Sequence, residues 1–270
     1  MSPILLFVTQ ALLVFVGAGA LAIALRRRLP APWRAWVWGA LAFVASQVVR
    51  MPLLVGLTLL SQALRLDFGQ EGNFWSNVVL LSLTAGLFEE TARYLVLRFL
   101  ARDMRGWQNA VMFGAGHGGI EAILIVGVGS GLTNLYLLVN ADMLLAQTRA
   151  FSPAQADALA SQLDALRSVG PDVIAASLIE RAFAIMLHIG LSVMVMRAVE
   201  GGGPGWALAA VAAHALANFA AVTAQRFGGI LIAEVVVAMA GLAMLAFTLR
   251  QRAAMSRPVA IGYVHSEGQS

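Results

Sequence analysis

The chain has 270 residues, 60% hydrophobic and 12% charged, with a net charge of +4. Soluble domains carry about 25% charged residues, so this composition, with a mean hydropathy of +0.80, excludes a water-solvated globule and marks a polytopic membrane protein. All 18 basic residues are arginines gathered at the ends of apolar runs, which speaks against nucleic acid as a partner, and the absence of cysteine excludes disulfides and thiolate chemistry.

In lipid every backbone polar group must be satisfied internally, and apolar runs of about 20 residues satisfy it as helices. The expected fold is therefore all-α, a transmembrane bundle of seven spans, or eight. The first apolar segment, 3–25, is followed by Arg26, Arg27 and Arg28, the reverse of a signal peptide's charge order, and reads as a retained span. The second, 35–62, carries Arg50 toward its far end, where snorkelling or local pairing accounts for it. The third, 73–100, contains FEETARYLVLRFL, which sets Glu89, Glu90 and Arg93 in an apolar run. The fourth, 107–128, contains FGAGHGGIE, with His117 among four glycines and Glu121 one turn on.

Segment 129–147 reads as a non-spanning extension of the fourth helix, because a full crossing would move the later arginines to the opposite side. An amphipathic helix follows at about 152–169, with Ser152 as N-cap, Pro153 in its first turn and Gly170-Pro171 as its stop. The remaining spans are 173–198 with Glu180, Arg181 and His188, 205–224 with HALAN, and 229–249 with Glu234, which has no evident partner. Residues 1–254 read as one integral-membrane domain with its motif-bearing core at 73–224; 255–270, including His265, read as a flexible tail. Arg26–28, Arg34, Arg98, Arg102, Arg105, Arg197, Arg250, Arg252 and Arg257 fall on one side, which predicts an outer N-terminus and a cytoplasmic C-terminus.

Ionisable groups inside spans are expensive and mark functional sites. Counted from the arginine-rich ends at 1.5 Å per residue, Glu90, His117, His188 and His214 all lie about 15–16 Å deep. Four helices thus bring polar groups to one layer, which points to one site. Arg93 is i,i+3 from Glu90 and i,i+4 from Glu89, so it can neutralise either carboxylate; His117 with Glu121, and His214 with Asn218, are i,i+4 pairs. Each feature alone has a structural reading. The glutamates and arginine form an ion pair pinning helices, His188 a helix–helix hydrogen bond, Glu121 an orienting partner for His117, and the glycines a close helix contact.

Three motifs, EETAR at 89–93, FGAGH at 113–117 and HALAN at 214–218, resemble those of the CAAX-protease and bacteriocin-processing superfamily, to which PrsW-type proteases are related. The glycine-rich GAGHGGIEA is most similar to the YhfC group of bacterial intramembrane metalloproteases. The superfamily's first motif usually has three residues between the glutamate pair and the arginine, where this sequence has two. The resemblance implies an enzyme of the bacterial cytoplasmic membrane that hydrolyses a membrane-associated protein or peptide. It implies Glu89 as the water activator assisted by His117, with His214 and Asn218 stabilising the oxyanion, and it leaves open whether Glu89 or Glu90 is the base.

Residue chemistry agrees. Hydrolysis in a membrane needs a base, a trapped water and oxyanion donors. His117, His188 and His214 with a carboxylate also make a reasonable Zn2+ set with an open position, although not the compact H-E-x-x-H pattern. A metal-free glutamate reaction stands beside that reading. A transporter or proton relay, and a scaffold whose polar layer only holds helices together, are the rival functions.

Overall fold

The computed structural model describes residues 2–64 and 73–255. Arg65, Asp67, Glu71, Arg257, His265 and the expected tail lie outside these residues.

Among the described residues the helices follow in order: α1 (Pro3–Arg28), α2 (Trp33–Ala63), α3 (Phe74–Leu95), α4 (Trp107–Ala122), α5 (Thr133–Val139), α6 (Ala141–Phe151), α7 (Pro153–Arg167), α8 (Pro171–Arg197) and α9 (Gly205–Met255). Among the described residues there is no strand, so the fold is all-α. Five helical stretches among the described residues are long and apolar enough to cross a membrane: α1, α2, Trp107–Val139, Pro171–Gly202 and α9. The stretch labelled α9 breaks at Gly229, where φ is 77° and ψ is 179°, into two helices that fold back on each other, the rings of Trp206 and Phe247 lying 5.8 Å apart, so the two expected apolar segments stay separate. That left-handed φ is one that glycine adopts without steric cost. α3 is outside the five; its glutamates and arginine lower its hydropathy.

Helix ends follow the local chemistry. Ser2 caps α1 and Ser152 caps α7, each hydroxyl accepting from a backbone N–H three residues on, with proline next in the chain. Gly170 and Pro171 do more than stop α7: Gly170 is the N-cap of α8 and Pro171 its first residue. The fourth helix does not end near residue 128. It widens into a π-helical stretch, Ile123–Leu132, and runs on into α5. There Gly131 faces Ala11 of α1, so small residues on both sides permit the contact.

α8 is the central post. The apolar window of its span is 72% buried, against 11–33% for the other four, as expected for a helix that is apolar on all sides. It packs on α9 and α4; α2 packs on α4 and α3; α3 packs on α9. Outward-facing leucines and valines such as Leu12, Val16, Val48 and Leu59 are more than half exposed, a surface suited to lipid rather than water.

α4 is clamped between two neighbours by its glycines. A Cβ at Gly114 would stand 2.5 Å from Ile189 Cα and 2.8 Å from the His188 carbonyl oxygen on α8. On the opposite side, a Cβ at Gly116 would overlap the Trp36 carbonyl of α2, and one at Gly39 the Phe113 carbonyl. These glycines therefore serve close packing, and His117 is fixed between them. Gly119 is different, since its Cβ would meet nothing closer than 3.8 Å. Alanine normally gains about 1 kcal/mol over glycine inside a helix. Thermal unfolding of the detergent-purified protein should therefore show Gly119→Ala unchanged or slightly stabilised and Gly116→Ala lowered by several degrees. Equal melting temperatures would contradict the clamp.

Candidate active site

The site grows from three residues of α3. Arg93 is fully buried, and its guanidinium is surrounded by acceptors. Nε lies 2.8 Å from Glu90 Oε2, and one terminal nitrogen donates to Glu90 Oε1 at 3.1 Å. The other donates to the His188 carbonyl at 3.0 Å and to the Ser192 hydroxyl. A buried charge survives only when paired and hydrogen-bonded, and Arg93 achieves both by reaching across to α8. It does not pair with Glu89, so the i,i+3 partner is the one neutralised.

Glu90 also accepts from His214 Nδ1 at 2.9 Å. Glu89 has different company: Gln47 Nε2 donates to its Oε1 at 3.1 Å, His117 Nε2 is 3.1 Å from its Oε2, and His214 Nε2 is 3.9 Å from that same oxygen. No arginine contacts Glu89 among the described residues. The two adjacent glutamates are therefore unlike: Glu90 is saturated by a cation and an imidazole, while Glu89 faces imidazole nitrogens.

All three intramembrane histidines are buried and meet in one cluster, with ring centroids 4.9 Å apart for His117 and His188 and 5.1 Å for His188 and His214. Phe43 closes the far side of His117 edge-on at 5.3 Å. Hydrogen positions follow from the partners. Arg93 only donates, so His188 Nδ1, 3.2 Å from it, must accept, and the ring proton sits on Nε2, which donates to Glu121. By the same reasoning His214 gives its Nδ1–H to Glu90 and keeps a lone pair on Nε2 toward Glu89.

Glu121 does not bond to His117. It binds His188 and, at 3.1 Å, Arg181, which also holds Glu180. Arg181 is thus joined to the cluster rather than being a separate local pair. Asn218, one turn beyond His214, is half-buried and makes no side-chain hydrogen bond among the described residues. Gln47, Ser192 and Phe43 went unseen in the sequence. A signal existed for Gln47, which lies i,i+3 from Arg50 in an apolar run and accepts from it at 3.4 Å; Arg50 itself binds Thr84 and the Leu81 carbonyl on α3.

Two groups of these side chains offer metal-ligand atoms within 4.8 Å of one another: Glu89, His117, Glu121 and His188, and separately Glu90, His188 and His214. Neither contains all three histidines. Imidazole and carboxylate donors without thiolate suit zinc and its neighbours, and the buried Nδ1 of His117 has no hydrogen-bond partner. Glu89 lies 3.1 Å from the His117 ring, beside the His117, Glu121 and His188 donors. The residues therefore fit a metal in the first group. Ligation through His188 Nε2 would require Arg93 to release Nδ1, because the ring proton would have to move there.

Fold and site together define an integral membrane protein of helical construction, with a buried His/Glu cluster able to accept a metal. The chain belongs to the YhfC intramembrane metalloprotease family, whose model matches residues 12–262. It is 38% identical over 155 residues to the "Uncharacterized membrane protein YhfC" of Bacillus subtilis (strain 168), a match covering 53% of this chain and 55% of that protein. The match thus spans about half the length of that relative. No solved structure matches the chain.

Because Glu90 would be left charged and buried without its partner, Arg93→Ala should cost about 3–5 kcal/mol, read as a large drop in melting temperature. The double change Arg93→Met with Glu90→Leu should recover much of the loss. A double variant as unstable as Arg93→Ala would show that the pair is not what the fold depends on.

Proposed function

We propose that this chain is an intramembrane endopeptidase that cleaves a membrane-associated protein or peptide, with Glu89 as the base that activates water. The observation that carries the reading is the contrast between the two glutamates. Glu90 is committed to Arg93 and His214, whereas Glu89 is buried, uncommitted to any cation and directed at His117.

Glu89 takes a proton from water as the water oxygen attacks the scissile carbonyl carbon. His117, against the same carboxylate oxygen, orients the water and relays the proton taken up by Glu89 to the leaving amine as the C–N bond breaks. The Asn218 amide donates toward the tetrahedral oxyanion, and His214, held by Glu90, joins it when Nε2 is protonated. Arg93 keeps Glu90 ionised where lipid would protonate it, and so fixes the tautomer of His214. The motif likeness to the CAAX-protease superfamily supports the same division of labour.

His117, Glu121 and His188 would hold a metal, leaving Glu89 as base. When bound, the ion supplies Lewis-acid polarisation and a more acidic water. The clustering of arginines at one end of the helices supports a cytoplasmic C-terminus, which puts the site within reach of the cytoplasmic half of the bilayer.

Comparison of the membrane proteomes of cells carrying wild type or Glu89→Gln should reveal an uncut substrate only in the variant. Identical proteomes, or substrate movement without cleavage, would overturn the protease reading. For the metal, elemental analysis should find about one divalent ion per wild-type chain and little in His117→Ala. A metal-free preparation that still cleaves would end the metal version alone.

A further inference from the structure

Glu89, His117 and His214 are at most 5% exposed, so a substrate reaches them only where two helices part. The seams around the cluster are not alike. Three are closed by backbone contact at glycine. A Cβ on Gly39 of α2 would overlap the Phe113 carbonyl of α4, one on Gly114 of α4 would stand 2.5 Å from Ile189 Cα of α8, and one on Gly86 of α3 would stand 2.7 Å from the Val211 carbonyl oxygen of α9.

The seam between α2 and α3 has no such contact among the described residues. Gly86 faces α9, and a Cβ on Gly56, the other glycine of α2, would meet nothing within 4 Å. Polar side chains bridge the seam instead. Gln47 donates to Glu89 at 3.1 Å, and Arg50 donates to the Thr84 hydroxyl at 3.3 Å and to the Leu81 carbonyl at 3.0 Å. Pro52 follows inside α2 and lacks the N–H that would bond to the Val48 carbonyl. Past the proline, α2 buries only Ser61, so that half of the helix is free to tilt there.

A cavity of about 510 Å³ lies on this seam, lined by Ala45, Ser46 and Val49 of α2 and by Phe88, Thr91 and Ala92 of α3 among others. Ligand clefts measure roughly 300–1,000 Å³. Its mouth is open to lipid, where Val49, Leu87 and Leu95 are exposed, and Ser46 is buried at its floor. The Gln47 amide donates both to the Ser46 hydroxyl, at 3.1 Å, and to Glu89, so one side chain joins the cavity to the base. An apolar cavity that opens on lipid suits an occupant already in the bilayer, and small side chains on both walls admit a close-packed helix.

We propose, resting on the peptidase reading of the Glu89 site, that the substrate is a membrane-spanning apolar segment that docks in this cavity from the bilayer. It enters between α2 and α3 when the Gln47 and Arg50 bridges release.

The test compares the membrane proteomes of cells carrying full-length wild type, Glu89→Gln, Ala45→Trp, Thr91→Trp or Val48→Trp. Ala45 and Thr91 line the cavity and are exposed, so an indole at either fills it without displacing the core, whereas Val48 is exposed outside it. Ala45→Trp and Thr91→Trp should melt close to wild type yet each accumulate the same uncut protein as Glu89→Gln, about tenfold or more above wild type. Val48→Trp should process it normally, and the uncut protein should contain an apolar run of about 20 residues. Normal processing in either cavity variant, as for a cavity that holds lipid only, would overturn the assignment. So would accumulation in Val48→Trp, or an uncut protein without such a run. No accumulation even in Glu89→Gln would instead remove the peptidase reading, and this assignment with it.

Discussion

The arrangement turns on one interaction: a guanidinium, Arg93, held in a low-dielectric interior by a carboxylate on its own helix and by a carbonyl, a hydroxyl and a ring nitrogen on another. An arginine at that depth is costly unless it is paired and hydrogen-bonded. The engagement sets three things at once. It ties α3 to the central α8, leaves Glu90 ionised as the acceptor for His214, and gives His188 a defined tautomer that points its N–H at Glu121. The Glu89–His117 pair is thereby left apart from the neutralised half of the cluster.

Such a network needs helices closer than side chains normally allow. The glycines of α4 supply the approach, with Gly114 against α8 and Gly116 against α2. Packing in lipid has little hydrophobic drive and rests on close backbone contact and interhelical hydrogen bonds. In this protein both operate at the same level of the bundle. The polar cluster and the glycine clamp support one another: without the clamp, His117 would not reach Glu89, and without the ion pair, α3 would lack its polar tie to α8.

Much of this was legible in the sequence, because lipid restricts what a chain can do. Apolar run length predicted an all-α bundle, and a depth count along separate helices brought Glu90, His117, His188 and His214 to one layer. Partner choice was not legible. Spacing allowed Arg93 either glutamate and suggested Glu121 for His117, whereas Glu121 binds His188 because Gly118 lets α8 press in, with His188 Cβ 3.2 Å from where a Cβ of Gly118 would lie. A periodicity rule describes one helix face; it carries no information about the neighbour that arrives there. Gln47 and Ser192 were missed for the same reason, each being an ordinary polar residue until another helix supplies its partner. The break at Gly229 keeps apart the two segments that composition separated, with one positive φ in place of a loop.

The central claim is that the two adjacent glutamates have separate duties, Glu89 chemical and Glu90 structural. It is tested most directly by measuring peptide cleavage and thermal unfolding on the same purified Glu89→Gln and Glu90→Gln proteins. The account predicts that Glu89→Gln melts close to wild type yet does not cleave, while Glu90→Gln melts well below it. A Glu89→Gln protein that cleaves at the wild-type rate, or a Glu90→Gln protein as stable as wild type, would contradict it.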